Sequence, residues 1–155
     1  MKRIIGFSLL AFMTVLFATA FRAEADVNLT FYNKTNRKVS IVVYRELAAF
    51  HVKGWFNVEP GKSRTITFKT EQGEPAGDVG YYAEATKKGQ KTIYWQGDFA
   101  RAWVHPSKAF EYRGGYQGAD DSDFDNFTAG PPNKRVGFRK ISIKSMQGTV
   151  NLTSN

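Results

Sequence analysis

The sequence predicts an all-β fold: an antiparallel β-sandwich or small barrel of about 7–9 short strands, preceded by a signal peptide. Three observations carry that expectation. Apolar and polar residues alternate in short runs, turns rich in Gly, Pro and Asn separate the runs, and no helical period or internal repeat interrupts them.

The chain opens on a targeting pattern. Lys2 and Arg3 form a charged start, Ile4–Phe21 is uncharged and mostly apolar, and Ala23-Glu24-Ala25 gives the small-x-small pattern of a cleavage site. Residues 1–25 are read as a signal peptide and 26–155 as a single domain. An uncharged run of this length also reaches the lower edge of a membrane anchor, the competing reading. The protein is expected to be exported, to the periplasm or outside the cell, with no transmembrane span after cleavage. There is no cysteine, so no disulfide framework, thiol nucleophile or thiolate metal site is available. The net charge is +8, and the domain stays basic when the leader is set aside. In an exported protein that argues against nucleic acid and leaves anionic envelope polymers or lipid headgroups, or solubility alone.

Val27, Leu29 and Phe31 alternate with Asn28, Thr30 and Tyr32 as a half-buried strand. Asn33-Lys34-Thr35-Asn36 turns the chain into the β-branched run Val39–Tyr44, so the two are expected to form a first hairpin. Arg45–Lys53 lacks alternation and has good helix formers, which predicts a loop or one helical turn. Gly54–Phe68 reads as strand, turn, strand, a central hairpin. Pro60-Gly61 fits a type II turn, and Phe56, Val58, Ile66 and Phe68 share one core-facing parity that leaves Trp55 on the outward side. Val79–Thr86 and Thr92–Gln96 should pair through the Lys87-Lys88-Gly89-Gln90 turn. Ala102–Val104 and Ala109–Tyr112 are short strands around His105-Pro106-Ser107. Residues 114–133 make a long polar, acidic loop. The chain closes on Arg135–Ile143, with a change of phase near Arg139-Lys140, and on Thr149–Leu152.

This order of motifs resembles a bacterial family of exported proteins catalogued as a domain of unknown function, number 1036. The motifs are Asn33-Lys34-Thr35, Gly54-Trp55-Phe56, Pro60-Gly61, Tyr81-Tyr82-Ala83-Glu84, Trp95-Gln96-Gly97, Gly137-Phe138 and Val150-Asn151-Leu152-Thr153. The resemblance covers nearly all of residues 26–155. It implies an exported all-β domain and brings no known activity. Many relatives carry a cysteine just after the Pro-Gly turn, where this chain has Lys62 and Ser63.

Catalytic machinery is not evident. His51 and His105 lack metal-ligand spacing and a neighbouring nucleophile, and both are expected to be exposed or locally bonded. Glu84 lies among tyrosines on a strand, where burial would raise its pKa; the alternative is a solvent-facing or ion-paired glutamate. Asp121, Asp123 and Asp125 alternate as oxygen ligands for Ca²⁺ would, but the EF-hand pattern fails at Asn126 and Pro132, and a solvated acidic loop is the alternative. Trp55, Tyr82, Tyr94, Trp95 and Trp103 are more rings than one small core normally hides. With Glu84 they make the candidate ligand site, since exposed aromatics beside polar side chains suit sugar faces. A second sheet or loop covering them is the competing account. Four Asn-x-Thr sequons, at Asn28, Asn33, Asn126 and Asn151, are read as strand-edge and turn residues. The functional expectation is a non-enzymatic, carbohydrate-binding β-domain for a cell-envelope or extracellular glycan or anionic polymer, with no cofactor. The alternatives are a protein-interaction module, an inhibitor or secreted effector acting through residues 114–133, and an unrecognised hydrolase.

Overall fold

The computed structural model describes residues 26–47, 49–70, 75–115 and 133–154, which hold ten strands and no helix. The first five are β1 (Val27–Asn33), β2 (Val39–Glu46), β3 (Ala49–Val58), β4 (Ser63–Phe68) and β5 (Asp78–Ala85). The rest are β6 (Ile93–Trp95), β7 (Ala100–Val104), β8 (Phe110–Gly115), β9 (Lys134–Ile141) and β10 (Gln147–Leu152). They form a three-stranded sheet, β10-β1-β4, and a larger one in the order β7-β9-β5-β2-β3-β8. Along β5, Val79–Tyr81 pair with β9 and Ala83–Ala85 with β6.

The sandwich core lies between the sheets. Val27, Leu29 and Phe31 of β1 and Ile66 and Phe68 of β4 meet Ile41, Val43, Tyr81 and Ala83 of the larger sheet. A second core occupies the opposite face of that sheet, around Val42, Tyr44, Val52, Tyr82, Tyr112 and Phe138. The larger sheet curls into a half-barrel over this face, so its edge strands β7 and β8 approach each other. The Tyr112 hydroxyl donates to the Trp103 carbonyl at 2.7 Å, and the Trp55 indole N–H donates to the His105 carbonyl at 2.5 Å. A chain without cysteine thus buries apolar residues on both faces of one sheet, and that burial, not cross-links, stabilises it.

Two expected hairpins are not hairpins. β1 pairs with β10 in parallel and with β4, never with β2, so Asn33–Lys38 is an arch from one sheet to the other. Asn33 holds that arch from inside: its side-chain amide donates to the carbonyls of Arg37 (2.7 Å) and Val58 (2.9 Å), while its oxygen accepts from the Thr35 N–H (2.9 Å) and hydroxyl (2.8 Å). β3 and β4 also belong to different sheets. The Pro60-Gly61 turn itself is as expected, with Gly61 at φ 70° and Lys62 N–H bonded to the Glu59 carbonyl at 3.1 Å. The shared parity of Phe56, Val58, Ile66 and Phe68 faces one core across the sandwich, which alternation alone does not distinguish from pairing within a sheet.

Most of Arg45–Lys53 is strand rather than a helical turn: Arg45 and Glu46 end β2, Ala49–Lys53 begin β3, and Leu47 lies in the bend between them, with Arg45 opposite His51 and Tyr44 opposite Val52. Helix preference is worth at most ~0.7 kcal/mol per ordinary residue, whereas burying a side chain the size of Val52 is worth about 1.5–3 kcal/mol, so burial decides. The β5–β6 hairpin forms with Ala83 opposite Trp95. The phase of β9 changes where expected: Val136 and Phe138 enter the second core, Arg139 and Lys140 are both exposed, and Ile141 enters the sandwich core.

Candidate functional site

Four of the six predicted site residues come together at the mouth of the half-barrel. Ile41 pairs with Phe56 and Val42 with Gly54, so Trp55 is the extra residue of a β-bulge and turns toward the second core while Phe56 keeps the sandwich side. Tyr82 and Glu84 share a face of β5, and Tyr94 stands opposite Glu84 in register. The Tyr82 hydroxyl donates to the Glu84 carboxylate at 2.7 Å, and Lys134 Nζ donates to the same oxygen at 2.6 Å. Lys134 also lies 5.1 Å from the Trp55 ring and 5.3 Å from the Tyr82 ring. Burial, then the hydrogen bond to Glu84 and its charge, push the Tyr82 phenol well above the ordinary tyrosine range. Glu84 is the ion-paired glutamate of the two alternatives. Trp55 is half-buried, and of this group only Tyr94 is a large exposed ring, at 53%.

The other two tryptophans lie elsewhere. Trp95 points into the sandwich core and is 8% exposed, so it stands apart from the group. Trp103 is half-buried on β7, opposite Arg135 of β9. Around that pair the surface is concave. One cleft of about 500 Å³ is bordered by Gly97, Asp98, Arg101, Arg135 and Gly137, and a smaller one of about 190 Å³ by Tyr44, Phe50, Trp103 and the same two arginines. At the border of the first cleft Gly97 and Gly137 pack backbone to backbone. A Cβ on Gly137 would sit 2.3 Å from the Gly97 carbonyl oxygen. Arg101 touches Asp98 at 3.4 Å, but both are exposed, and such a contact is worth about 0–1 kcal/mol. The Arg135 side chain makes no hydrogen bond or ion pair among the described residues. Sequence reasoning missed both arginines. The available signal was the pair of motif glycines, Gly97 and Gly137, neither of which serves a turn.

His105 is locally bonded as expected, its Nδ1 accepting from the Ser107 and Lys108 N–H groups at 3.2 and 2.8 Å. His51 is not exposed. It is buried with its ring edge-to-face on Phe68 and bonded to Glu111 at 2.8 Å. Burial holds its pKa below the ordinary value, and the Glu111 bond opposes this. Glu111 itself is raised by burial but lowered more by its bonds to Lys53 and His51, for a net decrease. Arg45, a charged residue that no local pattern marks as buried, is 2% exposed and donates to the carbonyls of Pro75, Ala76 and Lys69. A cleft of about 580 Å³ lies beside Arg45 and His51, whose polar atoms are already engaged within the chain. Asp121, Asp123 and Asp125 lie outside the described residues, as does most of the 114–133 loop.

The mouth group is therefore a closed network with one exposed ring, whereas the arginine cleft presents the guanidinium of Arg135, which has no side-chain partner among the described residues. Compared with known proteins, the chain matches no family model, no curated protein and no solved structure. No helix among the described residues is long and apolar enough to cross a membrane.

Proposed function

We propose that this is an exported, non-enzymatic binding domain for an acidic polysaccharide, held in the concave surface over the paired strands β7 and β9. The resemblance of motif order belongs to this proposal, which takes the chain as one of that exported family. The observation that carries it is the pairing of Arg135, whose side chain has no partner among the described residues, with Arg101 on the neighbouring strand beside Trp103. Guanidinium forks match carboxylates in a bidentate geometry, and the indole offers a flat face to a sugar ring. Tyr94, opposite the Glu84 that Lys134 binds, adds an exposed ring to the half-buried Trp103.

Affinity electrophoresis through gels containing polygalacturonate, hyaluronate or neutral dextran tests this. The acidic gels should retard the protein. The Arg101→Gln/Arg135→Gln double variant and Trp103→Ala should each lose most of that retardation. Lys87→Gln/Lys88→Gln, an equal charge change on an exposed turn, should keep it. If the arginine and lysine pairs behave alike, the attraction is only net charge and the cleft is not the site.

A further inference from the structure

The outer face of the small sheet carries a different kind of order. Its alternate positions form three ranks across the strands β10, β1 and β4, fixed by the pairing register. The first rank is Gln147, Asn28 and Thr67; the second is Thr149, Thr30 and Thr65; the third is Asn151, Tyr32 and Ser63. Every one of these side chains is exposed or half-buried, and none is charged. In a protein of net charge +8 that is a departure from what strand faces and sheet edges normally carry, since charged side chains are the usual guard against association there. The nearby charges stay at the ends of the array, where Lys69 is paired with Asp26 at 2.5 Å.

The array is also pre-set. Thr30 and Thr65 hydroxyls bond each other at 2.9 Å within their rank, and the Thr67 hydroxyl donates to the Asn28 side-chain Oδ1 at 2.7 Å. Thr149, Asn151, Tyr32 and Ser63 have no side-chain partner among the described residues, so hydroxyl and amide groups face outward unspent. Strand geometry spaces the positions about 4.8 Å across and about 6.8 Å along the sheet, a patch of roughly 10 by 14 Å between outermost Cα atoms.

From this we infer a second binding surface: the β10-β1-β4 face docks flat against an uncharged, hydroxyl-rich polysaccharide. A face without charge gains nothing from an ionic partner. It also lacks the aliphatic or aromatic centre that a protein interface uses to exclude water, which disfavours a second copy of the chain. A neutral glycan offers what the array can use: hydroxyls that both donate and accept, matched to Thr, Ser, Asn and Gln, and a ring face for the 43% exposed Tyr32. The surface is independent of the arginine cleft, which lies on the other sheet.

The test is co-sedimentation of the protein, expressed as the full chain, with microcrystalline cellulose and with insoluble β-1,3-glucan in about 1 M salt, where charge attraction is screened. Saturable binding to at least one of them is expected. Thr149→Lys and Thr65→Glu, at exposed strand positions, should each weaken it by about tenfold or more while thermal unfolding stays at the wild-type temperature. The Arg101→Gln/Arg135→Gln protein should bind as wild type, which separates this surface from the acidic-polymer cleft. Absence of binding to both polysaccharides overturns the inference. So does binding that Thr149→Lys and Thr65→Glu leave intact, or a dimer in sedimentation equilibrium that those substitutions dissolve.

Discussion

Replacing Asn33 should damage the fold far more than its position in a polar turn suggests. Asn33 is 1% exposed, and its amide satisfies two carbonyls and two donors at the crossing from β1 to β2. In Asn33→Ala the Thr35 N–H loses its side-chain acceptor and the Val58 carbonyl loses its side-chain donor. The Arg37 carbonyl keeps the Thr35 hydroxyl at 3.0 Å. A buried polar group left unpaired costs about 1–3 kcal/mol, so two of them give a loss of about 3 kcal/mol. That is a large part of the 5–15 kcal/mol typical of a domain. Asn33→Asp refines the point. An aspartate keeps the acceptor half of the network, but its second oxygen faces two carbonyls and must carry a proton to bond with either. Its folded-state pKa is therefore raised, the folded state binds the extra proton, and this variant should gain stability as pH falls and lose it as pH rises past the ordinary aspartate value. Urea unfolding across a pH series measures both effects, with unchanged slopes confirming that only stability moved. An alanine variant losing under about 1 kcal/mol, or an aspartate variant whose deficit ignores pH, would refute the reasoning.

Other substitutions probe the two cores and the cleft. The pKa of His51 is held below 6.5, chiefly by burial, so the unfolded chain takes up a proton first as pH falls. Wild-type stability should therefore be full above that value and decline below it, by up to about 1.4 kcal/mol per pH unit, and His51→Gln should flatten that decline in urea titrations. Glu111, also lowered, adds a further loss in more acid solution. Gly137→Ala should destabilise the protein by about 1–3 kcal/mol, because the added methyl meets the Gly97 carbonyl; a melting temperature equal to wild type would show that residues 96–98 yield freely. Trp95→Ala should cost about 3–5 kcal/mol as a core truncation, whereas Tyr94→Ala, one residue away and exposed, should leave the thermal midpoint nearly unmoved.

The all-β class was legible because period-2 alternation is a local signal. Val27, Leu29 and Phe31, or Val79, Tyr81, Ala83 and Ala85, declare their buried face within a few residues, and each lies in the sandwich core as its spacing implies. What alternation does not encode is the partner. β1 meets β10 and β4, from far along the chain, and the Pro60-Gly61 turn joins two sheets with the same residues that would close a hairpin. The candidate site divides along the same line. Trp55, Tyr82, Glu84 and Tyr94 were groupable because three of them sit on one hairpin and the fourth on an outward parity. Arg101 and Arg135 become neighbours only through the β7–β9 pairing, and nothing local to either residue announces it. Trp95 shows the limit of counting rings: its parity is that of Ile93 and Ala83, and the curled sheet plus a second one hides more aromatics than a single core does.

The same pairing predicts how weakly salt should act on the proposed cleft. β9 alternates Lys134 inward and Arg135 outward, and the two cations have different fates. Lys134 is neutralised by Glu84, as Lys53, Lys69 and Lys140 are by Glu111, Asp26 and Asp78. Arg45 is spent on carbonyls, while Lys87, Lys88, Lys108 and Lys144 sit on three separate turns and do not converge. Arg101 and Arg135 share one concavity beside Trp103, whereas in the cleft where Arg45, Lys69 and Arg113 meet beside Phe50, Arg45 is spent on carbonyls and Lys69 is paired with Asp26. If a polyanion binds there, it releases counterions for about two contacts, and the logarithm of its association constant should fall with the logarithm of salt at a slope of about −2 or shallower. Titration calorimetry with an oligogalacturonate over a salt series measures that slope. A value several units steeper would mean that the basic surface as a whole attracts the polymer. A slope that persists unchanged in the Arg101→Gln/Arg135→Gln protein would place the contacts away from β7 and β9.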